Sequence, residues 1–116
     1  MQTTPAPWPE KFALTTCPAA DIATAIPAGA LGVAVVFAPA PAGETVYLVV
    51  ESRARDLVGQ CRRRLLTAGL PPVSALTVAF QAEVLPDASA EAIHAACRRQ
   101  VTLAGELRRA LRPAMR

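Results

Sequence analysis

Few residues in this 116-residue chain could do covalent chemistry, and they are scattered. The serines are Ser52, Ser74 and Ser89, and the one histidine is His94. Nucleophilic catalysis needs a hydroxyl and a base within hydrogen-bond reach, often with the hydroxyl on a sharp strand-to-helix turn. No serine here stands in such a glycine-flanked elbow. Ser89 and His94, five apart on one expected helix, point to different faces. No phosphate loop with paired glycines and a lysine is present. Cys17, Cys61 and Cys97 are odd in number and far apart, which suits neither a disulfide framework nor a zinc site. Reduced, mostly buried thiols are expected. The sequence thus assigns no catalytic, cofactor or metal residue.

Arginine is what remains. Up to Glu51 the only base is Lys11, set against Glu10, Asp21, Glu44 and Glu51. From Ser52 onward eleven arginines face five acids, a balance of +6 in that half. Arg62, Arg63 and Arg64 form one group and Arg98 and Arg99 another. These five are the candidate docking residues for an acidic partner, through salt-sensitive contacts. A solvated surface built from an arginine-biased, GC-rich bacterial codon supply accounts for the same pattern and stays open beside it. Nucleic-acid binding is disfavoured, because no stacking aromatics or reader motif accompany the arginines.

The elements that must position these residues follow from period and punctuation. Residues 1–17 read as an extended Pro-rich leader that Trp8 could pin to the body, and residues 18–112 as one domain. Residues 18–26 form a short helix with Ile22 and Ile26 on one face, stopped by Pro27 and Gly29. Two β-branched runs, residues 33–38 and 45–51, make an antiparallel pair around a Pro/Gly turn. The second, apolar on both faces, is expected to be central, with Val46, Leu48 and Val50 facing one way. Residues 52–68 form a helix buried through Leu57, Val58, Cys61, Leu65 and Ala68, with Arg62–Arg64 fanned opposite. A third strand covers residues 75–80, joined to the second by a right-handed parallel crossover. A last helix starts near Ser89, capped by Asp87 or Ser89, and buries Ile93, Cys97, Val101, Ala104, Leu107 and Leu111. The expected class is α+β: a three-stranded mixed sheet with helices packed on it, in the order α-β-β-α-β-α. With 53% hydrophobic but only 4% aromatic residues, the core must be aliphatic. No membrane-length apolar run or secretory leader is present, so cytoplasm is expected.

Residues 85–107, LPDASAEAIHAACRRQVTLAGEL, carry a resemblance. Fatty acyl-AMP ligases, adenylate-forming enzymes of the AMP-binding superfamily, end in a small domain with a passage similar to LPKTSSGKIQRxACRxxFLAGxL. Leu85, Pro86, Ser89, Ile93, Arg99, Leu103, Ala104, Gly105 and Leu107 fall on matching positions. Asp21 and Ile22 resemble part of a YPQDIE-like segment, and Phe37 and Glu51 resemble positions in two of the family's strands. The position of the family's adenylating lysine is held by Ala92, and the glycine before it by Glu91. Residues 4–10, TPAPWPE, match nothing in the family's GRxKDxI-like hinge.

The resemblance implies a free-standing small domain without its chemistry. A methyl group cannot stabilise charge developing on an α-phosphate, and Arg98 and Arg99 lie about 9 to 10 Å further along the helix. The expected role is non-catalytic: docking to an acyl carrier protein or an adenylating subunit in a lipid, polyketide or lipopeptide pathway. Two alternatives stand beside it. One is the C-terminal half of a split acyl-AMP ligase acting in trans, and the other a homo-oligomeric structural module, with a homodimer as the expected form.

Overall fold

A computed structural model of the chain describes residues 8–39, 44–52, 55–86 and 89–115. The class is α+β, built on one four-stranded sheet that is antiparallel throughout. The strands are β1 (Thr15–Pro18), β2 (Leu31–Ala38), β3 (Thr45–Ser52) and β4 (Thr77–Glu83), ordered β1-β4-β2-β3 across the sheet. The helices are α1 (Trp8–Lys11), α2 (Ile22–Ala25), α3 (Leu57–Arg64) and α4 (Ala90–Leu111). Short 3-10 turns at Ala19–Asp21 and Val73–Ala75 lead into α2 and β4.

Successive side chains along the strands turn to opposite sides, and the sheet buries both faces. Ala34, Val36, Leu48, Val50, Val78 and Phe80 form one cluster with Ile22 and Ile26 around α2 and with Leu57 and Cys61 of α3. Val33, Val35, Phe37, Val49 and Ala79 form the other with Ala104 and Leu107 of α4, and Trp8 and Phe12 pack against it. The result is three layers: α2 and α3, the sheet, then α1 and α4. The layering explains β2, a continuous apolar run buried from Leu31 to Phe37 because it has a strand on either side and helices above and below. Gly32 belongs in it because a Cβ there would lie 2.0 Å from the backbone oxygen of Gln81 on β4.

Several expectations change. The sheet has four strands, not three, and is not mixed. The added strand, β1, takes the last three residues of the stretch expected as leader together with Pro18, expected to open the first helix; residues 1–7 of that leader lie outside the described residues. The strand is four residues long and ends at a proline, a form suited only to an edge. Trp8 does anchor that stretch: its ring meets Phe37 edge-on at 5.0 Å between centroids, and Nε1 donates to Glu44. β3 is an edge strand rather than a central one. Its two-sided apolarity reflects the helices over both faces, not a strand on both sides. A bulge opposite Val36 and Phe37 turns Val46 toward the α4 side and Tyr47 toward the α3 side, against simple alternation. β3 and β4 do run parallel, but β2 lies between them, so the crossover through α3 spans a strand. Ser52 ends β3 and α3 begins five residues later, after Asp56, and stops before Leu65.

α4 is rotated from its expected setting. Ala96, Gln100, Ala104 and Leu107 are buried, whereas Cys97 is half-buried and Val101 is 49% exposed. Gln100 is tolerated inside because its Nε2 donates to Glu83 at 3.0 Å. Among the described residues no helix is long and apolar enough to cross a membrane.

Candidate docking face

α3 places the first arginine group. Asp56 caps the helix, its Oδ1 accepting from the Gly59 amide at 3.0 Å. A Cβ at residue 59 would meet the Asp56 carboxylate at 2.2 Å, so the glycine leaves that capping side chain its place. With Leu57 and Cys61 turned into the core, Arg62 and Arg63 point outward and are exposed. Arg63 lies 3.7 Å from Asp56, closing the helix back on its own cap. Arg64 is half-buried and partnered. Arg62 has no ion pair among the described residues.

The second group sits elsewhere. Arg98 and Arg99 are on α4, across the sheet from α3, so the five candidate arginines do not form one surface. Arg99 binds Glu83 at the end of β4, and Glu83 also accepts from Gln100. Arg98 lies with His94, Cys97, Val101 and Thr102 on the outer face of α4. Ala92 sits in the first turn of that helix, its amide donating to the Ser89 cap at 3.2 Å. Asp87, the other proposed cap, lies outside the described residues.

The α3 side adds what charge alone did not reveal. Where the Ala19–Asp21 turn and α2 meet the end of α3 there is an open groove of about 350 Å³. Ile22, Leu65, Leu66 and Val73 give it an apolar wall, the small side chains of Ala19, Ala20 and Ala23 leave room beside them, and Arg62 stands on it. Leu66 is 84% exposed and Val73 39%, so two large apolar side chains meet water at one place. Leu66 lies just beyond the shortened α3, where its amide and that of Thr67 tighten onto Arg63 and Arg64. In sequence the only hint was a leucine pair running past the arginines.

The thiols here are structural. Burial, and then the nearby Asp21, raise the Cys17 pKa. Burial, and then Cys17, push the Cys61 thiol up to about 12. Neither is poised as a thiolate at neutral pH. Among the described residues no three His, Cys, Asp or Glu side chains gather into a metal-sized group. Comparison with protein-family models, with curated proteins and with solved structures finds no match.

Proposed function

We propose that this chain is a non-catalytic docking module, a relative of the small domain of fatty acyl-AMP ligases. In this reading its α3 face receives an acidic protein. The observation carrying the docking half is the pairing of an open apolar groove with the exposed Arg62 at its side. Contact area and charge then lie together on one exposed face. Ala92 supports the non-catalytic half, since its methyl side chain offers neither charge nor donor where the resemblance places the adenylating lysine, and its amide is already given to the Ser89 cap. The resemblance names the partner class as an acyl carrier protein or an adenylating subunit, serving lipid, polyketide or lipopeptide synthesis. The α4 arginines are left out of the face, since they lie across the sheet and Arg99 is held by Glu83.

The test is direct binding of purified acyl carrier protein and of a ligase lacking its C-terminal domain, at low and high salt. Wild type should bind one of them at low salt, and binding should weaken with salt and in an Arg62→Ala, Arg63→Ala double variant. Equal binding by wild type and variant, or none by either, removes the reading.

A further inference from the structure

The groove on the α3 face contains more apolar surface than charge recognition needs. Arginines alone would serve an acidic partner, yet the four large apolar side chains exposed among the described residues are not evenly spread. Val84 and Val101 stand apart from the groove, whereas Leu66 and Val73 line it together over Ile22 and Leu65. Sites for small molecules enclose most of their ligand, typically about 70 to 90% of its surface. This groove is open and leaves Leu66 standing in water, so covering it takes a second macromolecular surface. Arg62 at its side sets the sign of that surface.

We infer that the groove between α2 and the end of α3 takes an aliphatic side chain projecting from an acidic surface of the partner, with Leu66 and Val73 as the anchor and Arg62 as the guide. The inference rests on the docking reading and assigns a separate task to each kind of residue. Desolvated apolar contact at the centre of an interface sets how long a complex lasts. Exposed charges at its margin set how fast the partners meet. The anchor therefore controls dissociation and the arginine controls association and its salt dependence.

The experiment is binding kinetics with purified acyl carrier protein as the probe, using wild type, Leu66→Ala, Arg62→Ala and a Val101→Ala control from the opposite face. Leu66 is exposed, so its variant should keep the wild-type melting curve. The expected result is dissociation roughly tenfold faster for Leu66→Ala with association unchanged, the size of one lost apolar anchor. For Arg62→Ala the expected result is slower association with a shallower salt dependence, and Val101→Ala should match wild type. If Arg62→Ala slows association while Leu66→Ala leaves dissociation untouched, the anchor is overturned and docking stands. If wild type fails to bind the probe, the inference falls, and docking stands only where the ligase lacking its C-terminal domain binds. A wild-type dimer lost in Leu66→Ala would make the occupant a second copy, and displacement of the probe by dodecanoic acid would make it an acyl chain. Either result overturns the inference.

Discussion

A methyl group at residue 32 would lie 2.0 Å from the Gln81 carbonyl oxygen, and no side-chain rotation relieves a clash with backbone. Gly32→Ala should therefore cost about 3 kcal/mol, the upper end for overpacking, read as an earlier urea midpoint. An unchanged midpoint would mean that β2 and β4 pair more loosely than their register implies. Cys61 makes a prediction of opposite kind, since its effect depends on pH. A buried thiol with a raised pKa keeps its proton in the folded chain after the unfolded chain has lost it. That contribution is complete below the ordinary value of 9.0 and is lost as pH rises toward about 12. Stability should fall on the alkaline side, and Cys61→Val, which keeps the shape and removes the proton, should flatten the fall. Unfolding at neutral pH and at about pH 10.5 compares the two, and parallel losses in both proteins would assign the fall to other groups.

At the scale of elements, periodicity read most of the chain. β2, β3, β4 and α4 lie close to where β-branched runs and caps place them, and Ser89 caps α4 as expected, whereas α3 keeps only the middle of its expected span and stops at Arg64, well short of Gly69. Two kinds of information were missing. A four-residue edge strand such as β1 has too little pattern to stand out beside the prolines around it. The face of a helix cannot be fixed when alanines and cysteines surround the stripe, since small side chains pack inward or outward at similar cost. The α4 face turns on such a case: the apolar stripe places Val101 in the core, yet Gln100 lies inside because Glu83 can receive its amide. Val101→Glu should change stability by less than about 0.5 kcal/mol, whereas Leu107→Ala should cost about 3 kcal/mol. Equal losses would restore the expected face. The same helix ends with Arg112 in the left-handed region, at φ 49°. Arg112→Gly should stabilise by about 1 kcal/mol in thermal unfolding, because an L side chain is strained there.

At the scale of the whole molecule, the three layers are joined by packing and by a strap that no pattern foretold. After α4 the chain turns at Arg112 and passes over the outer edge of β3. The amides of Ala114 and Met115 donate to the Val46 and Tyr47 carbonyls, each at 2.9 Å. Arg108 adds a donor to Val49 at 3.3 Å. Leu111 packs with the α4 cluster while Met115 packs with the α3 cluster, beside Gly69, so a few residues tie both faces of the sheet together. A sequence cannot show this, because the strap is too short to have a period and its partners lie more than sixty positions away. Its physical effect is to cover an edge strand that would otherwise offer unpaired carbonyls to other chains. A chain ended after Arg112 should lose about 2 kcal/mol, on the scale of two hydrogen bonds and a methionine contact. It should also associate with rising concentration. Urea unfolding measures the first effect and light scattering across a dilution series the second. A truncated chain that is less stable but stays monomeric would show that the strap holds the layers together while the charges of Arg108 and Glu51, 3.6 Å apart, are enough to guard the edge.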